Sequence, residues 1–303
     1  MSLTATVLIP THDHGPTLHH AIRSVLNQTV QDFELFVIGD GATSEARAII
    51  KEYADKDARI RFFDHPKGPR HGEIYRHQAL REARGEIVCY LSDDDMWLPG
   101  HVAYLRELLC DADFAHVLPL VITPTGEVFL HSGTLSRPES VQAVRSGNNF
   151  IPLSTGGHTL AIYRVSPHGW RTTPEGINTD SYMWQQILNV PGCRSRSGLR
   201  PTVLNFPSPA RKEWSTARRL NELKEWESRM RDPNLEHRLI KLALEFLISH
   251  QAPVEMESAE LKEIIRVMEN DITWRTRKAI LNLPLVGPVV KKVARAVFGR
   301  GSR

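Results

Sequence analysis

The chain has 303 residues, 41% of them apolar and 24% charged, an ordinary globular composition that excludes a disordered or fibrous protein. A formal charge of +3 is too slight for a nucleic-acid binder, and basic residues concentrate only towards the C-terminus, so no nucleic acid is expected as a partner. Three cysteines, Cys89, Cys110 and Cys193, have no CxxC spacing, which argues against a disulfide framework or a thiolate zinc site and predicts a reducing, cytoplasmic setting.

The opening MSLTATVLIP lacks the basic and apolar regions of a secretory leader and is expected to enter a strand directly. Residues 6–9 form a short apolar run that stops at Pro10. Residues 16–28 then set Leu18, Ala21, Ile22, Val25 and Leu26 on one helical face. A second strand over 33–38 ends at Gly39-Asp40-Gly41, a helix is expected over 43–55, and a third strand over 60–63. A helix over 72–84 follows, with Gly85 as its terminating glycine. A fourth strand, 86–91, delivers Ser92-Asp93-Asp94-Asp95 at its carboxyl end. This strict alternation predicts an α/β fold with a mostly parallel, Rossmann-like sheet flanked by helices, in which ligands bind beyond the carboxyl ends of the strands.

From 114 the alternation weakens. Extended pieces are expected at 114–122, 127–131 and 202–206, a glycine-rich turn at 156–157, and a clear helix at 179–190. Residues 216–250 and 258–282 carry helical periodicity and high charge. The organisation that follows is an alternating α/β part over 1–115 with its ligand site beyond the strand ends, a less regular part of the same fold over 116–215, and a helical C-terminal region over 216–303. No run nears the roughly 18 apolar residues that a membrane-spanning helix needs. The last thirty residues combine an apolar face with Arg275, Arg277, Lys278, Lys291, Lys292 and Arg295, a pattern that suits peripheral contact with an anionic membrane face.

Three adjacent aspartates after a buried strand raise one another's pKa unless a cation lies between them. Hard carboxylate oxygens suit Mg²⁺ or Mn²⁺, which fill their remaining positions with phosphate oxygens and water. The competing reading of the triplet is a solvated loop in which Asp95 caps the next helix. His12, His14, His19 and His20 cluster early and read as mostly surface, with a metal site shared by His14 and His19 conceivable.

The segments VLIPTHDH (7–14), FELFVIGDGATSE (33–45) and REARGEIVCYLSDDDMWLPGH (81–101) together resemble the GT-A-type glycosyltransferases of family 2, strongly over residues 3–110, weakly over 150–215 and not beyond 216. The resemblance implies a GT-A-like fold and inverting transfer of a sugar from a nucleotide-sugar, UDP- or dTDP-linked, to a hydroxyl of a saccharide or lipid-linked glycan. Carried over by position, it implies that Asp40 recognises the base, that Thr11 and Asp13 line the nucleoside pocket, and that Arg76 faces the nucleotide. It further implies that Asp93 and Asp94 form the ribose-and-metal motif, with Asp94 the direct ligand of Mn²⁺ or Mg²⁺. Arg211 and Lys212 fall where the family brings a basic group to the diphosphate, and Asp180, opening the helix TDSYMWQQIL, falls where it places the general base. Gly39, Ser92 and Thr179 replace acids common in the family pattern. Trp184, one turn after Asp180, is either an acceptor-stacking or a core residue. Two other classes compete: a sugar nucleotidyltransferase, for which THDHGPT is a poor glycine-rich loop, and a non-catalytic or membrane-associated sugar-nucleotide-binding scaffold, which would not need the acids at 94 and 180. The lack of GxGxxG in the first turn disfavours a dehydrogenase.

Overall fold

The computed structural model describes residues 3–131 and 133–246. In chain order the elements are β1 (Leu3–Thr11), α1 (Leu18–Leu26), β2 (Phe33–Asp40), α2 (Ser44–Lys56), β3 (Ile60–His65), α3 (Glu73–Leu80), β4 (Gly85–Tyr90), β5 (Met96–Trp97) and α4 (His101–Leu108). They continue with β6 (Phe114–Ile122), β7 (Val128–Leu130), α5 (Pro138–Arg145), β8 (Gly156–Thr159), α6 (Leu160–Val165), α7 (Thr179–Leu188), β9 (Ser195–Asn205), α8 (Thr216–Arg229) and α9 (Leu235–Phe246). One sheet runs β3-β2-β1-β4-β8-β6-β9-β5, with β7 on the side of β6. Its four longest ladders, β1 with β2, β1 with β4, β2 with β3 and β6 with β9, are parallel, and the four short ones are antiparallel. The α/β fold with a mostly parallel sheet is thus the one the alternation predicts. Because β8 pairs with β4, and β5 with β9, the stretches before and after residue 115 share that sheet.

Strand residues alternate between two cores, as a pleated sheet covered on both faces requires. Ala5, Val7 and Ile9 of β1 pack with Leu18, Ile22 and Val25 of α1, Ile50 of α2 and Leu105 of α4. Leu8, on the other face, packs with Leu80 of α3, Tyr163 of α6 and Met183, Trp184 and Ile187 of α7. Trp184 is fully buried, and its indole N–H donates to the Ile151 carbonyl at 3.0 Å, so it belongs to the core and not to an acceptor surface.

Two glycine assignments change. Gly85 is not a helix terminator: α3 ends at Leu80, and Gly85 opens β4. Its reason is proximity, since a Cβ there would lie 2.1 Å from the Thr6 nitrogen of β1. Gly156 and Gly157 form no turn but β8 in the middle of the sheet, where a Cβ on Gly156 would stand 2.6 Å from the Trp184 ring. The helix expected over 216–250 is two helices. Pro233, which cannot donate to the ladder, falls in the break between α8 and α9. The expected helix over 258–282 and the basic tail lie outside the described residues. No helix among the described residues is long and apolar enough to cross a membrane.

Candidate active site

The carboxyl ends of β1, β2 and β4 open onto one cavity of about 620 Å³, where Thr11, Asp13, Asp40, Asp93 and Asp94 meet Arg76 from α3 and Asp180 from α7. Seven of the nine residues singled out in the sequence therefore share one wall-to-wall site, although Asp180 stands some ninety positions beyond the acidic triplet. His12 and His14 also line it.

The triplet divides by role. Asp95 turns away: its carboxylate accepts from the Ser154 hydroxyl at 2.5 Å, the Asn205 amide at 3.0 Å and the Phe206 backbone N–H at 2.8 Å. It caps no helix, because α4 begins at His101 after Gly100. Burial, together with neighbouring Asp94, pushes its carboxyl up to about 7, and its bonds lock the end of β9 to the triplet. Asp93 and Asp94 face the cavity. The His14 Nδ1 lies 3.0 Å from Asp93 Oδ1, and that hydrogen bond raises the imidazole to about 9 against the opposing effect of burial. Asp94 accepts from the Ser208 hydroxyl at 2.5 Å and from the Arg219 guanidinium. Burial, then the charge of Asp93, pushes its carboxyl up.

Ligand atoms of His14, Asp93 and Asp94 all lie within 4.8 Å of one another, a set of two hard carboxylates and one imidazole that fits Mg²⁺ or Mn²⁺. The partner of His14 is thus the acidic pair; His19 points elsewhere, its Nδ1 lying 3.2 Å from the Tyr53 hydroxyl. His14 reads as a surface residue in the sequence because nothing local signals that a 3-10 turn at Gly15–Thr17 aims it at a residue 79 positions away.

Arg211 and Lys212 are not brought to the cavity. The Arg211 guanidinium is buried, forks onto Glu222 at 2.6 and 2.7 Å, donates to the Ile122 carbonyl at 3.0 Å and stacks near Phe206 and Trp214. Its charge is satisfied behind the site, and Lys212 is exposed. The cation that reaches the acidic pair is Arg219 of α8, which donates to Asp94 and to the Ser208 hydroxyl at 3.1 Å and lies 3.1 Å from His14 Nε2. Ser215 positions it by capping α8, its hydroxyl accepting the Arg218 N–H at 3.3 Å. No motif in the sequence separates Arg219 from its solvent-facing neighbour Arg218.

Arg76 is buried with its guanidinium 4.7 Å over the Trp170 ring, and one nitrogen donates to the His71 carbonyl at 3.2 Å. Among the described residues its Nε and Nη1 have no partner, nor has the Thr11 hydroxyl. Buried donors without partners are uncommon in native proteins, and here they sit in residues of the cavity wall. Asp180 is half-buried; its Oδ1 accepts the Ser181 N–H at 2.7 Å, and burial raises its carboxyl despite that bond and the charge of Arg76.

A family model described as glycosyl transferase family 2 matches residues 6–169, more than half of the chain. The chain belongs to glycosyl transferase family 2. That span carries Thr11, Asp13, Asp40, Arg76, Asp93 and Asp94, whereas Asp180 and Arg219 lie beyond it. A Campylobacter jejuni relative, GalNAc(5)-diNAcBac-PP-undecaprenol beta-1,3-glucosyltransferase, is 30% identical over 192 residues, covering 60% of this chain and 59% of the relative. The Staphylococcus aureus poly(ribitol-phosphate) beta-N-acetylglucosaminyltransferase TarP is 34% identical over 95 residues, covering 30% of this chain and 28% of its own. The chain thus spans under two thirds of either relative. Among solved structures, S. aureus TarS in complex with UDP-GlcNAc superposes with a TM-score of 0.55 at 14% identity, over 88% of this chain and 72% of that one, which places this family 2 member in the GT-A fold.

Proposed function

We propose that the chain is an inverting glycosyltransferase that moves a sugar from a UDP- or dTDP-linked donor to a hydroxyl of a saccharide or lipid-linked glycan. The observation that carries this reading is the single cavity joining a metal-competent acidic pair to a half-buried carboxylate on α7.

In this reading Asp40, Thr11 and Asp13 hold the nucleoside, and Asp93 and Asp94, with His14, hold Mn²⁺ or Mg²⁺. The metal, when bound, supplies positive charge to the leaving diphosphate. Arg76 adds a cationic donor to the same wall, Arg219 fixes Asp94 from behind it, and charge that is fixed before reaction is more effective than charge that must reorganise. Asp180 takes the proton from the acceptor hydroxyl as its oxygen attacks the anomeric carbon. The bond from that carbon to the diphosphate oxygen breaks, and the nucleoside diphosphate leaves. A carboxyl raised by burial is the better base near neutral pH. The relatives' printed names, one acting on an undecaprenol-linked glycan and one on a poly(ribitol-phosphate), support a glycan or lipid-linked acceptor.

The test is nucleoside diphosphate release from a panel of UDP-, dTDP-, GDP- and ADP-sugars, with water as the default acceptor. Release from a UDP- or dTDP-sugar, stimulated by Mn²⁺ or Mg²⁺ and lowered about 10²-fold in Asp94→Asn, is the expected result. Release from none of the panel would sink the reading.

A further inference from the structure

The segment between β3 and α3, residues 67–72 (KGPRHG), wraps the Asp40 carboxylate. Lys67 Nζ donates to Asp40 Oδ2 at 2.7 Å, to the Gly68 carbonyl at 2.8 Å and to the Arg70 carbonyl at 2.7 Å. An ammonium has three N–H bonds, and all three are used. Asp40 Oδ1 accepts the Gly68 N–H at 2.6 Å, so one short loop holds both oxygens.

The loop is shaped for this contact. Arg70 has φ 55°, the one non-glycine residue with positive φ among those described, and its guanidinium donates to the Ile177 carbonyl just ahead of α7. Left-handed backbone at a non-glycine residue persists where surrounding contacts over-determine it. Gly72, at φ 63°, lies so close that a Cβ would stand 2.5 Å from Asp40 Cγ. Asp40 itself is nearly fully buried yet lines the cavity, as do Lys67, Arg70 and His71.

We propose that Lys67 is a positioning residue that sets base selectivity, by holding the Asp40 carboxylate in one orientation towards the nucleobase. The inference rests on the donor-site reading given above and deepens it. A carboxylate is acceptor-only, so held in that orientation it favours a pyrimidine whose N3 carries a hydrogen, as in uracil or thymine. It repels cytosine, whose N3 presents a lone pair at the same edge. Without Lys67 the carboxylate loses the cation that fixes Oδ2 and the loop loses its three-way tie, so the acceptor no longer stands in one place.

The test is calorimetric titration of UDP, CDP and inorganic pyrophosphate, each with Mn²⁺, into the wild type, Lys67→Met and Lys67→Arg. The wild type is expected to bind UDP at least about tenfold more tightly than CDP, the scale on which an unpaired buried polar group discriminates. Lys67→Met should bring that ratio towards one while leaving pyrophosphate affinity unchanged. Lys67→Arg keeps the charge but not the three-way fit; it should lose part of the ratio and provides the measurement should Lys67→Met not fold. An unchanged UDP-to-CDP ratio in both variants, or equal weakening of UDP, CDP and pyrophosphate, would overturn the proposal and leave the donor site standing. No nucleotide binding to the wild type would overturn the donor-site reading and this proposal with it.

Discussion

Asp180→Asn is expected to lower sugar transfer by about 10²–10⁴-fold while leaving nucleoside diphosphate affinity within about twofold, the range in which a positioned general base acts. The substitution preserves shape, and the amide oxygen can still accept the Ser181 N–H that Oδ1 accepts now. It removes only the capacity to take a proton. A competing explanation is that Asp180 serves the first turn of α7, where a negative charge interacts with the helix dipole. That role contributes at most about 2 kcal/mol at a half-buried site and would appear as a lowered melting temperature with transfer retained. Measuring kcat, donor affinity and thermal unfolding on the one variant separates the two, because only the base role lowers kcat with the other two quantities held.

Unfolding on mild acidification is the second large effect expected. His101, His116 and His158 are essentially without solvent exposure, and burial lowers them to about 3, 4 and 4 respectively. Each is held neutral by its surroundings: His101 stacks on Trp97 and meets the Thr202 hydroxyl at 2.8 Å, His116 meets the Ser197 hydroxyl at 2.8 Å, and His158 meets the Tyr90 hydroxyl at 2.7 Å. Their folded pKa values lie below the unfolded value of about 6.5, so between those limits the unfolded chain binds more protons. Their contribution is therefore complete above pH 6.5 and is lost as pH falls from there towards 4. At about 1.4 kcal/mol per unit, each amounts to some 3 kcal/mol by order of magnitude. Asp95, raised to about 7, acts in the opposite sense and offsets roughly one of the three, and burial raises Asp94 and Asp180 in the same sense as Asp95. Burial also lowers His19, His20, His71, His77 and His131, so the net effect keeps the sign of the histidines and denaturant midpoints should fall between pH 6.5 and 4. In His158→Gln that slope should be shallower by its share. A flat profile across the window would show that these imidazoles are not buried as described.

The legibility of the sequence follows the range of the forces involved. The first ninety residues were readable because each strand and helix carries its own period, and the acidic triplet because a buried strand must end before it. The division of labour within the triplet was not, since Asp95 is claimed by Asn205 and Phe206 at the far end of β9, and only the closed sheet brings those residues near. The place of Arg211 after β9 points it towards the diphosphate, but Glu222 of α8, 11 residues along, takes its charge. Arg219 and His14 carry no local mark of their meeting at Asp94 and Asp93. Gly85 looked like a helix end because the contact that requires glycine comes from β1, some eighty residues earlier. Positions fixed by periodicity were legible, and positions fixed by a distant partner were not.

The claim on which the account rests is that the cavity binds a nucleoside diphosphate through a divalent cation held by Asp94. Calorimetric titration of UDP, dTDP and GDP, with and without Mn²⁺, into the wild type and Asp94→Ala tests it most directly. Mn²⁺-dependent binding of UDP or dTDP that is lost in the variant is the expected result. Binding of no nucleotide, or binding indifferent to both Mn²⁺ and Asp94, would contradict the mechanism while leaving the fold and the family membership intact.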